Sequence, residues 1–139
     1  MITTLDIQNY ITDKIYENFK QRVARRGIKK SYPESCFFVY IDKQEMHSMN
    51  VSQNKKVYPI LIHYKNPSNV VIQETSEKLM KIFDFSHKIK DTWVVVSNFD
   101  CEIYEEDLML AFDISFYVGK TRAREERELM RQLRLKIEE

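Results

Sequence analysis

The chain has 139 residues, 43% of them hydrophobic and 31% charged, and its 22 lysines and arginines nearly cancel 21 acids, for a formal charge of +1. That composition speaks against a disordered chain and lacks the basic excess of a protein that lives on nucleic acid. The length suits one domain, spanning 1–139, able to bury roughly 68% of its unfolded surface in a single core.

The first predicted element is a long amphipathic helix over residues 4 to 25. Ile7, Ile11, Ile15, Phe19 and Val23 recur every four residues, and Tyr10 and Tyr16 widen the stripe. Thr3 and Asp6 stand at the capping-box offset, Asp taking the usual place of Glu or Gln. Such a helix would run ~33 Å and needs a broad sheet or a neighbouring subunit to lie against. Lys20, Arg22, Arg25, Arg26, Lys29 and Lys30 follow with no acid among them. They read either as a phosphate-contacting patch or as cations gathered at a helix C-terminus. Gly27, a stop signal, favours the second reading.

The segment "CFFVYI", residues 36–41, is apolar on both faces of a strand. Cys36, Phe38 and Tyr40 point one way and Phe37, Val39 and Ile41 the other, so the sheet is expected to be covered on both sides. A weaker strand, "EMHSMNV", a polar loop, "SQNKK", and a third strand, "VYPILIHY", come next. Pro59 cannot donate to a ladder, which predicts an edge or a bulge there. Ser68 or Asn69 caps a second helix with Ile72, Thr75, Leu79, Ile82 and Phe83 on its apolar side.

Three further strands are expected in "WVVV", "FDCEIY" and "LMLAFDISFYV". The last alternates cleanly, with Leu108, Leu110, Phe112, Ile114, Phe116 and Val118 on one face. The acids of "EED", residues 105 to 107, read as a solvated turn rather than an acid/base site. Gly119 and Thr121 open a final helix, "RAREERELMRQLRLKIEE", with a narrow stripe of Met130, Leu133 and Ile137. Arg122 and Arg124 near its start and Glu138 and Glu139 at its end oppose the macrodipole, so packing or a partner must complete it. The fold class is therefore α+β: a mainly antiparallel sheet flanked by N-terminal, middle and C-terminal helices, in the order α-β-β-β-α-β-β-β-α.

Chemistry is sparse along the chain. Two glycines leave no room for a phosphate-cradling loop or a dinucleotide fingerprint. Cys36 and Cys101 read as small core residues, though spacing alone leaves a disulfide open, and His47, His63 and His87 lack the offsets of paired ligands. No catalytic, cofactor-binding or metal-binding residue is expected, and the chain does not read as an enzyme. No apolar run approaches the ~18 residues of a spanning helix, and residues 1–10 lack a signal-peptide pattern. A cytoplasmic place of assembly and no membrane partner are expected.

Taken together, the helix "IQNYITDKIYENF" before "PESCFFVYI", the strand "KKVYPILIHY" before "VVIQETSEKLMKIF", and "LMLAFDISFYV" before "ELMRQLRLKI" resemble the phage tail terminator family. The likeness spans nearly the whole chain and rests on element order and apolar pattern. It points to contractile-tailed phages, defective prophages and phage-tail-like bacteriocins (tailocins) of Gram-positive bacteria. The resemblance implies a structural virion assembly protein that forms a ring, usually a hexamer, on the head-proximal end of the tail. There it would stop tube and sheath polymerisation and offer the neck or connector a surface. The implied partners are copies of itself, tube and sheath proteins and neck proteins, with no sequence-specific nucleic acid, no cofactor and no membrane.

A ring subunit presents two different surfaces to its neighbours. The residues expected to serve as subunit or tail interface are Lys43, Met46, His47, Met49, Asn50, Asn54 and Lys55, together with Arg122, Arg124, Arg127 and Arg131. Competing readings are a head–tail joining or tail-completion protein, a small cytosolic enzyme or ligand-binding domain, and a nucleic-acid accessory protein built on the Lys20 to Lys30 cluster.

Overall fold

The computed structural model describes residues 2–21, 23–24, 36–41 and 43–119. In chain order these form α1 (Thr4–Phe19), β1 (Val23–Ala24), β2 (Cys36–Tyr40), β3 (Glu45–Ser48), β4 (Gln53–Lys65), α2 (Asn69–Ile82), β5 (Ser86–Ile89), β6 (Thr92–Tyr104) and β7 (Asp107–Gly119). The strands make one sheet in the order β1-β2-β4-β7-β6-β5, with β3 also paired to β4. Every pairing is antiparallel except β1 with β2. The α+β class holds, with two helices among the described residues. The expected C-terminal helix and the arginines on it lie outside them, as do Arg22, Gly27 and the rest of the basic cluster after Lys20.

Both helices pack on one face of the sheet, here the inner face. Ile7, Ile11 and Ile15 of α1 and Ile72 and Leu79 of α2 are fully buried there. They meet Phe37 and Val39 of β2, Tyr58, Ile60, Ile62 and Tyr64 of β4, and Leu108 through Phe116 at every second position of β7. The period-2 alternation of the sheet and the four-residue stripes of the helices thus meet in one apolar layer.

The α1 helix lies across the strands. Sixteen residues span ~24 Å, about the width of six strands spaced ~4.8 Å apart. At its C-terminal end Phe19 packs on Phe37 of β2, ring centroids 5.0 Å apart. At its N-terminal end Asp6 accepts from Lys90 Nζ at 2.8 Å, and the Tyr10 hydroxyl bonds His87 Nδ1 at 2.8 Å, both beside β5. The capping box is present: Asp6 N–H donates to Thr3 Oγ1 and Thr3 N–H to Asp6 Oδ2.

Several expectations are corrected. The first helix stops at Phe19 rather than residue 25, because Lys20 turns left-handed (φ 56°) and donates its N–H to Tyr16. Val23, assigned above to the helical stripe, lies instead in a short strand opposite Phe37. The polar "SQNKK" is not all loop. Gln53 to Lys56 begin β4, held by β3 on one side and Val118 and its neighbours of β7 on the other. "WVVV" and "FDCEIY" are one strand, β6, with a register irregularity between Ser97 and Asp100 where Asn98 is left-handed. The short polar β5 carried no periodic signal.

Pro59 is neither at an edge strand nor in a bulge. β4 is central, and Pro59 sits opposite Asp113 of β7. On the other flank β2 pairs Leu61–Lys65 and β3 pairs Asn54–Val57, so Pro59 falls in the gap between them. A residue without an N–H costs the sheet least at such a gap.

The two cysteines are free. Cys36 belongs to the outer face of β2, opposite Lys65, whereas Cys101 lies opposite Leu110 on the inner face. With β4 and β7 between their strands, they sit on opposite sides of the sheet.

Candidate functional site

The outer face divides in two. At the β2 end it is packed: Cys36 and Phe38 are buried, and the Phe38 ring stacks on His63 at 5.4 Å. His63 in turn holds Asp107 of β7, Nε2 to Oδ1, at 2.8 Å. The expectation of a sheet covered on both faces therefore holds at β2. Toward β6 and β7 it does not: Trp93 is 66% exposed and Tyr117 55%, with Val95, Tyr104 and Met109 also open to solvent.

The register explains the exposure. In β6 the inner-face residues Val94 and Val96 are buried, so the alternate positions Trp93 and Val95 face outward. No helix among the described residues packs against them. The sequence marks "WVVV" as a strand without distinguishing its two faces. Its continuity hid the alternation, since no polar residue marks the open side.

Seven of the eleven expected interface residues converge on one hairpin. Lys43 precedes β3 and pairs with Glu45 at 3.6 Å. Met46 and Met49 are exposed, and His47 stands opposite Lys55. Asn50 shapes the turn into β4, its Oδ1 accepting from Ser52 N–H, Ser52 Oγ and Gln53 N–H. Asn54 lies between Ser48 and Val118. Arg122, Arg124, Arg127 and Arg131 are outside the described residues.

Between this hairpin and the irregular part of β6 lies an open depression of about 380 Å³, lined by Glu45, His47, Met49, Lys55, Val57, Ser97, Asn98, Asp113 and Ser115. Asn98 donates from Nδ2 to Asp113 Oδ2 at 2.9 Å across its floor, so the irregularity in β6 aims a side chain into it. The depression is shallow and mixed in polarity, and among the described residues no three histidines, cysteines or acids gather to hold a metal.

The shifted ionisations lie elsewhere, where α1 meets β5 and along the inner face of β6. Burial pushes the Tyr10 hydroxyl up, with Glu17 adding to it, and burial pushes His87 down against the pull of Asp84. Lys90, then the Thr3 backbone, hold the Asp6 carboxyl below its ordinary value. Burial raises the Cys101 thiol, with Asp100 adding to it. His87 Nε2 is buried with no hydrogen-bond partner, the nearest carboxylate oxygen, of Asp84, being 4.0 Å away. These groups fasten a helix to a sheet and fill the inner layer. None stands beside the depression.

Among the described residues the fold is a sheet backed by helices on one face and open over the β6–β7 half of the other, with no catalytic cluster in view. Comparison with known families gives that fold a particular identity. A family model described as phage tail terminator protein matches residues 6–126, and the chain belongs to the phage tail terminator family. It is a structural component of a phage tail. No curated protein matches it.

Proposed function

We propose that the protein caps the head-proximal end of the tail as a ring of identical subunits, six in number, ending polymerisation of the tube and sheath and presenting the surface that joins the neck. The family match across residues 6–126 carries this reading. The division of the molecule supports it: one face holds the core, while the hairpin at Glu45–Lys56 and the Trp93–Tyr117 half of the outer face are open for partners. Contractile tails of phages, prophages or headless tail particles of Gram-positive bacteria are the proposed setting, with assembly in the cytoplasm of the producing cell.

The test is to tag the C-terminus, purify tail particles and locate the tag by gold-label electron microscopy. Label at the single end opposite the baseplate is expected. Label along the shaft, or protein left free in the lysate, would refute the capping role. Label on the head side of the junction would reassign the chain to head–tail joining.

A further inference from the structure

A ring subunit joined head to tail needs two different surfaces, one on each flank. Each flank of the sheet has a stretch of strand with one side unpaired among the described residues, which matches this need. On one flank β6 outruns its neighbour: β5 pairs only with Thr92–Val95, and among the described residues no strand lies beside Asp100–Tyr104 on the side away from β7. Every second residue there turns its N–H and C=O outward. On the other flank, among the described residues, no strand pairs with β3 on the side away from β4.

From these edges we infer that neighbouring subunits join by sheet extension, β3 of one copy adding antiparallel to the open edge of β6 in the next. The inference rests on the ring reading above and names its contact.

Charge and pattern select both the partner and the register. Asp100 and Glu102 on the outer face of the β6 edge, with Glu105 and Glu106 in the turn, make two copies of this edge repel each other, which blocks a two-fold contact. The β3 edge offers Lys43 and His47 instead. Setting His47 opposite Glu102 places Met46 opposite Ile103, Glu45 opposite Tyr104 and Lys43 opposite Glu106. His47 and Glu102 both belong to outer faces, and Met46 and Ile103 to inner faces, so the continued sheet keeps its sides. Met46 is 57% exposed and Ile103 41%, each lacking a cover that the other supplies. A slip of two residues sets Glu45 against Glu102 or Glu106. A slip of one exchanges the faces. Parallel alternatives that keep the faces and cover three or more residues of Asp100–Tyr104 set Glu45 against Asp100 or Glu102.

The test is disulfide cross-linking with Met46→Cys and Ile103→Cys in one chain, Cys101 replaced by Ser. Paired strands hold opposed Cα atoms ~4.5–5.5 Å apart, within disulfide range. Tail particles and the purified full-length protein are both oxidised, with circular dichroism as a check on folding. A ladder of covalent multimers is expected from the double variant and from neither single one. Its absence from both preparations overturns the inference. Tagged protein at the tail end without a ladder overturns the edge contact and leaves the capping role standing. A ladder in purified protein that never reaches tails upholds the contact and removes the capping role. As a second measurement, Glu102→Lys should lower the multimer fraction about tenfold, and adding His47→Glu should restore it. Failure of that restoration in folded protein counts against the register.

Discussion

The two faces of the sheet are made from the same strands and differ in almost everything else. On the inner face β2, β4 and β7 contribute aromatic or branched side chains that are buried beneath the two helices; on the outer face the β6–β7 half leaves Trp93, Val95 and Tyr117 in water. Alternation along a strand therefore separates two tasks at single-residue resolution. Val94 holds the fold, while Trp93 and Val95 on either side of it are available for contact.

Substitutions on the two faces can break this contrast. The largest effect is expected from Phe37→Ala, which empties a site lined by Phe19 and Tyr64. It should cost about 3–5 kcal/mol, read from denaturant unfolding. A change below 1 kcal/mol would mean that the inner layer is not close-packed. Loosening the cap with Thr3→Ala should cost about 1 kcal/mol, since it removes one half of a reciprocal pair at the start of α1. A measured loss near zero would detach the cap from stability.

The pH response sharpens the contrast, since its source is confined to the inner side. Burial lowers the folded pKa of His87, so the unfolded chain binds the extra proton first. Stability is then complete above the ordinary histidine value of about 6.5 and falls as pH drops below it, until the folded form also protonates. Thermal unfolding at pH 7.5 and 5.5 should show this loss, and His87→Phe should flatten it. An unchanged slope in that variant would assign the titration to another group. Asp6 adds a separate, more acidic loss of the same sign, as its lowered carboxyl is protonated.

The smallest effect on stability belongs to the outer face. Trp93→Ala should alter stability by no more than about 0.5 kcal/mol while weakening attachment to tails. Trp93 is the only tryptophan of the chain, so its fluorescence reports directly. Long-wavelength emission from the free protein should move to shorter wavelength in assembled tails. No shift would exclude this half of the face from the contact.

What the sequence made legible was whatever repeats with a helix or strand period against a polar background. Ile7, Ile11 and Ile15, the Ser68 cap and the alternation from Leu108 to Phe116 were all readable on those terms. Elements defined by cross-strand partners were not. Gln53–Lys56 and Ser86–Ile89 have little apolar pattern and exist because β7 and β6 lie beside them. Val23 fits a helical spacing as well as a strand, and only the left-handed turn at Lys20 decides between them. At the candidate site the polar hairpin could be picked out as a segment without a core role, whereas Trp93 and Val95 were masked by the apolar residues between and after them.

The crosswise placement of α1 has a kinetic consequence. Its C-terminal end rests on β2, near in sequence, but its N-terminal end is fixed by His87 and Lys90, the Tyr10–His87 bond alone spanning 77 positions. Closing a loop of that length carries its entropic cost before any contact repays it, and topologies rich in such contacts form slowly. This helix, synthesised before the strands it lies against, is thus among the last elements to be fully seated, and until β5 is in place the apolar stripe of Ile7 and Ile11 is not fully covered on the growing chain.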